Sequence, residues 1–203
     1  PLAYVVAADR VPMKVLAIPR VKGNPSYRGL LVARRGAGVE DLKDLQGKVF
    51  AFVDPSSGSG YLYPRVLLHQ RGFDPDRLFR EVRFLGSHDR VIRSVLAGEV
   101  DGGATYTDAW EAAAKTQDLS SLVVLARTEE IPKDALAVRR DAPEETVRVL
   151  QEALLALGPQ DPRAGRALKD LGIDGFVPGE DRLYDVLRAA REAERQMGRR
   201  GRG

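Results

Sequence analysis

Cysteine is missing altogether from the 203 residues. That excludes disulfides and thiolate metal sites, and it fits an exported protein that manages without disulfides as readily as a cytosolic one. Histidine is almost missing. His69 and His88 are the two, a thin supply for a metal centre, and no H-E-x-x-H motif occurs, so neither metal nor cofactor is expected. No apolar run approaches the roughly 18–20 residues of a membrane span. The net charge is +3, and Arg199, Arg200 and Arg202 of the terminal "GRRGRG" account for it. A nucleic-acid binder usually carries its basic stripe within the fold, so no nucleic-acid partner is expected and residues 198–203 read as a solvated basic tail. The chain opens at Pro1 rather than at a methionine, which reads as a processed product or a fragment, and the lack of a signal segment then says nothing about export.

What is present is ordinary for a globular protein, 43% hydrophobic and 30% charged, with length enough for one large domain or two small lobes. Apolar segments "LAYVVAA", "MKVLAI" and "YRGLLVA" read as strands, and "GVEDLKDLQG" as a short helix stopped by Gly47. "KVFAFV" is apolar on both alternating faces, as a buried parallel strand requires. After it come a Ser/Gly loop and a helix with Leu62, Val66 and His69 on one side. Pro64 lacks an amide hydrogen and belongs in a first turn, so that helix should start near Gly60. The pattern then repeats: strand "EVRFLG", a helix capped by Ser87 and closed by Gly98, strand "VDGGA", helix "DAWEAAAK", strand "SLVVLAR". Such alternation predicts an α/β fold with a mostly parallel sheet covered by helices. Beyond "IPKDALAVRR" the pattern is helical, with Val147, Leu150, Leu154 and Leu157 in one stripe and Leu183, Val186, Leu187 and Ala190 in another.

The stretch "FVDPSSGSGYLYP" (Phe52 to Pro64) spends three serines and two glycines where a strand hands over to a helix. A helix start exposes amide hydrogens and the positive end of its dipole, a ready anion site. Small residues let an anion approach the backbone, and serine hydroxyls add donors. A second start, "GSHDR", puts Ser87 and His88 after the next strand, and in a parallel sheet successive strand-to-helix loops open on the same edge. The same residues also read as an N-cap with flexible padding, and His88 as a surface residue of a first turn. Enzyme readings fit less well. A P-loop wants a lysine followed by Ser or Thr where Tyr61 and Leu62 stand, and the G-x-S-x-G spacing of a nucleophile elbow is absent. A Ser59–His88–Asp101 triad has no spacing to support it.

Taken in order, "DPSSGSGYLYP", "GSHDRVIRSVLAGEVDGGATYTD" and "IPKDALAVR" resemble the phosphate/phosphite/phosphonate substrate-binding proteins of ABC importers. The resemblance runs from "PLAYVVAADR" through "YRGLLV" and "DLQGKVFAFVDP" to about Arg140. It implies the two-lobed fold of type II periplasmic binding proteins, with a phosphorus oxyanion held by Ser57, Gly58 and Ser59, and His88 and Tyr27 completing the grip. Asp108 and Asp134 match acidic positions that in some members receive the amine of an aminoalkylphosphonate. Gly58 stands where a threonine is common and Asp108 where a glutamate can occur. Each position has a plain alternative: Thr105 and Asp108 have capping-box spacing, Asp134 follows a turn at Pro132, and Tyr27 fits an ordinary strand.

The resemblance further implies binding without turnover, an ABC permease complex as partner and a periplasmic or extracytoplasmic location. It places residues 30–133 in one continuous lobe and residues 1–29 and 134–203 in the other. That other lobe is expected to be incomplete at its N-terminus, because the chain opens inside what resembles a "G-P-x-x-Y" element. A ligand-sensing domain of a receptor or regulator is the alternative, and a phosphate-ester hydrolase a further one.

Overall fold

The computed structural model describes residues 1–200, with side chains through Gly198, so the charges at the terminal basic tail lie outside the described residues. In chain order the elements are α1 (Leu2–Ala8), β1 (Met13–Arg20), β2 (Ser26–Arg34), β3 (Val49–Phe52), α2 (Tyr63–Gln70), β4 (Glu81–Phe84), α3 (His88–Ala97), β5 (Gly102–Tyr106), α4 (Thr107–Ala113), β6 (Leu122–Pro132), β7 (Leu136–Arg139), α5 (Glu144–Ala156), α6 (Gly165–Asp170), β8 (Gly175–Pro178) and α7 (Asp185–Arg200). Short 3₁₀ turns cover Leu42–Leu45 and Asp181–Tyr184, and a π-helical turn, Gly58–Leu62, runs directly into α2. Two compact units result, one of residues 1–27 and 131–189, the other of residues 28–130 and 190–203.

The second unit is built on a five-stranded sheet of order β4-β3-β5-β2-β6. The parallel character expected from the alternation holds for β4, β3 and β5, whereas β2 runs antiparallel to β5, so the sheet is mixed. Both faces are covered. Val49, Ala51 and Val53 join Val91, Ile92 and Val95 of α3 in one core, while Phe50 and Phe52 join Leu67 and Leu68 of α2 in another. This alternation explains why "KVFAFV" is apolar throughout. Residues from Ala190 onward group with this unit, where the sequence reading kept them with the other lobe. Their anchor is Arg65 of α2, buried, with Nε 2.8 Å from Glu194 Oε1.

The first unit carries a three-stranded sheet, β7-β1-β8, antiparallel throughout. Leu16 and Ala17 of β1 pack with Val147 of α5, joined by Leu154. Of the expected stripe, Leu150 is exposed, as is Leu183, which lies in a 3₁₀ turn. Leu187 and Ala190 are buried. The clear departure is "LAYVVAA", expected as a strand and found as α1. A seven-residue apolar run cannot by itself distinguish the two. Here Tyr4 packs against Tyr184 with ring centroids 4.7 Å apart and the planes tilted by 59°, and donates to Asp181 at 2.5 Å, contacts that a helix presents from one face.

Candidate functional site

The strand β3 ends at the Ser/Gly stretch, and two glycines there have opposite reasons. A Cβ on Gly60 would lie 2.5 Å from Val53 Cγ2, so only glycine lets the loop fold back on the strand end. The fold-back is held by Val53 N–H donating to Gly60 O at 3.1 Å. A Cβ on Gly58 would meet nothing within 4 Å. No packing demands a glycine at that position. Ser57 caps the π turn: its Oγ accepts from Gly60 N–H at 3.0 Å, and the hydroxyl keeps its own hydrogen to donate outward. The turn itself closes through Leu62 N–H donating to Ser57 O at 3.0 Å. Single π turns of this kind recur at functional sites. Ser59 is buried, at 4% exposure.

The second helix start lies beside the first. Phe84 of β4 pairs with Phe52 of β3, and past them Gly86 N–H donates to Val53 O at 2.8 Å. Adjacent parallel strands therefore deliver "SSGSG" and "SH" to the same sheet edge. Ser87 is the N-cap of α3, its side chain accepting from Arg90 N–H, and Gly98 closes the helix in the left-handed conformation, both as the sequence predicts. His88 is half-buried and its ring meets that of Tyr106 with centroids 4.5 Å apart. Burial pushes its imidazole down to about 4, because a charged ring would lose hydration there. At neutral pH the group is a neutral imidazole at the start of α3.

Of the expected site residues, the structure gathers Ser57, Gly58, Ser59 and His88 at the edge of the second unit. Asp108 follows in the first turn of α4, accepting from the Thr107 hydroxyl at 3.4 Å. The helix N-cap is Tyr106 and no capping box from Thr105 forms. Tyr27 and Asp134 belong to the first unit. Tyr27 is half-buried with Lys133 Nζ 5.4 Å from its ring centroid. Asp134 is 82% exposed and lies 2.5 Å from the amine of Pro1. Asp101, which a hydrolytic triad would need, instead accepts from Val49 N–H at 2.8 Å, at the start of β3 and therefore at the far end of the strand from Ser59. Sequence reasoning missed Tyr106, whose signal was its place at the end of a strand just ahead of a helix. It also missed Gly29, whose Cβ would come 2.9 Å from Thr128 Cγ2 and 3.4 Å from the carbonyl of Ser59.

A family model for the phosphonate periplasmic substrate-binding proteins of ABC transporters matches residues 1–184. The chain belongs to that family. Among curated relatives, the phosphate-import protein PhnD of Mycolicibacterium smegmatis is 32% identical over 117 residues, 52% of this chain and 36% of that protein. The chain thus matches only about a third of that relative's length. Solved structures share the fold. A binding-protein component of an ABC phosphonate transporter from Pseudomonas aeruginosa aligns with a TM-score of 0.79 at 24% identity, covering 97% of this chain and 67% of that one. PhnD1 of Prochlorococcus marinus, in complex with methylphosphonate, aligns with a TM-score of 0.77 at 24% identity, covering 97% and 76%. Among the described residues no helix is long and apolar enough to cross a membrane.

Proposed function

We propose that this chain is the binding component of an ABC importer for a phosphorus oxyanion, a phosphonate, phosphite or phosphate, held without turnover. The observation that carries this reading is the pair of helix starts on adjacent strand ends. Ser57 offers a hydroxyl hydrogen, Gly58 an amide beside open space, and His88 a neutral imidazole. Phosphorus oxyanions are heavily hydrated, and a site must replace water with many donors to hold one. Binding needs no nucleophile, and Asp101 is engaged elsewhere. Asp108, Tyr27 and Asp134 enter the reading on family likeness alone, as do the two-lobed closure, the permease partner and an extracytoplasmic location.

The test is a calorimetric and thermal-shift series with phosphate, phosphite, methylphosphonate and aminoethylphosphonate. At a hundredfold excess over Kd the bound ligand should stabilise the chain by about 2.7 kcal/mol. Phosphorus NMR should recover the ligand unchanged after long incubation. Steady release of phosphate from an ester, abolished by Ser59→Ala, would replace the binding reading with a hydrolytic one.

A further inference from the structure

Two buried polar atoms at this sheet edge have no hydrogen-bond partner: His88 Nδ1 and Thr105 Oγ1. Thr105 is fully buried, at 0% exposure. Its direction follows from the pleat of β5. A Cβ on Gly103 would lie 2.5 Å from Val91 Cγ1 and 3.2 Å from Val95 Cγ2, so that face of the strand rests on α3. Side chains two residues apart share a face, which puts Thr105 on the α3 side. Its cross-strand partner Leu30 belongs to the same core as Val91. Two strand residues advance about 6.6 Å, and about four helix residues cover the same distance. Moving from Val91 toward the start of α3 by that much reaches Ser87 and His88. The next residue along β5, Tyr106, touches the His88 ring, which fixes the level independently.

We propose that Thr105 is the positioning residue for His88, its hydroxyl donating to Nδ1 directly or through one water and so fixing the proton on Nε2. A neutral imidazole carries one donor and one acceptor nitrogen, and the bond made by one decides the role of the other. A threonine hydroxyl can donate to Nδ1, and that bond leaves the imidazole proton on Nε2. With Nδ1 engaged as acceptor, Nε2–H becomes the nitrogen that donates to an anion at the helix starts. The two atoms are not bonded to each other directly, so a small turn of the ring or a bridging water completes the link. Thr105 itself is too deep to touch ligand. The consequence for binding rests on the function proposed above, whereas the tautomer at His88 does not.

The experiment is two-bond ¹H–¹⁵N NMR of the full chain, with and without methylphosphonate. His69 is the other histidine to assign. The wild type should show His88 as the Nε2–H tautomer. Thr105→Val, which removes the hydroxyl and keeps the shape, should shift His88 toward the Nδ1–H form, and Thr105→Ser should restore the wild-type spectrum. Affinity for methylphosphonate should fall about tenfold in the valine variant, as for loss of one hydrogen bond, and return in the serine variant. A wild-type His88 in the Nδ1–H form overturns the proposal whether or not the valine variant folds, and so does a tautomer unmoved by Thr105→Val. A tautomer shift in a chain that binds none of the oxyanions upholds the role of Thr105 and removes the transport reading instead.

Discussion

The imidazole of His88 meets the ring of Tyr106 edge on, at an interplanar angle of 66° and a centroid distance of 4.5 Å. That contact lowers the solvation of the ring, and burial is the cause that brings its pKa down to about 4. Unfolded, the same imidazole titrates near 6.5. Between those values the unfolded chain binds more protons than the folded one, so stability is fully present above about pH 6.5 and is lost as the pH falls toward 4. Urea midpoints of wild type and His88→Gln, compared from pH 7.5 to 4.5, should diverge as the pH falls. The wild type loses more, by at most about 3 kcal/mol, and equal slopes would remove His88 as the titrating group.

Gly58 and Gly60 should respond oppositely to the same methyl group. Gly60→Ala forces Val53 or the loop to move and should cost about 1–3 kcal/mol, part of it recovered in combination with Val53→Ala. Gly58→Ala meets open space and should leave stability within about 0.5 kcal/mol. If an anion approaches the Gly58 amide, the same methyl weakens methylphosphonate binding by about tenfold or more. Chemical unfolding and calorimetry on the two alanine variants separate these effects.

Ser57 has two duties, and Ser57→Ala removes both. Loss of the acceptor for Gly60 N–H should cost about 1 kcal/mol of stability, as for other N-caps. Loss of the outward hydroxyl should cost about 1.5–3 kcal/mol of binding, or roughly tenfold to a hundredfold in Kd. A variant with lowered stability and unchanged affinity would confine Ser57 to its capping role.

Arg65 is buried at 8% side-chain exposure, between Glu194 at 2.8 Å and Asp76 at 2.9 Å, with its guanidinium carbon 5.1 Å from the Tyr61 ring centroid. Arg65→Met should destabilise the chain by about 3 kcal/mol, because it leaves the Glu194 carboxylate without its cation. Glu194→Gln on that background should recover part of the loss. Asp76 is 58% exposed, so Asp76→Asn should cost less than about 1 kcal/mol. Urea unfolding of the three variants gives the order directly.

The elements with punctuation were legible in the sequence. Ser87 and Gly98 bracket α3 because a hydroxyl at the N-cap and a left-handed C-cap are local requirements, met by residues a few positions apart. Pro64 sits in the first turn of α2 for the same kind of reason. In the Ser/Gly stretch, the close approach that the structure shows is that of Gly60 to Val53. Other elements carried no such mark. "GFVP" forms β8 only because β1 pairs with it, and four residues hold too short a pattern to be read alone.

The sequence by itself determined the order of strands and helices in the second unit, the two hydroxyl-bearing helix starts and the family those motifs resemble. Each depends on interactions within about ten residues, where capping, glycine and proline chemistry act. Tertiary structure alone decided that "LAYVVAA" is a helix, because Tyr4 finds Tyr184 and Asp181 nearly 180 residues away. It also decided that the glycine at position 60 is steric and the one at 58 is free, since only the return of the loop onto Val53 distinguishes them. His88 is neutral for the same kind of reason: the burial that lowers its pKa comes from neighbours brought in by folding, and desolvation is a property of a site rather than of a residue.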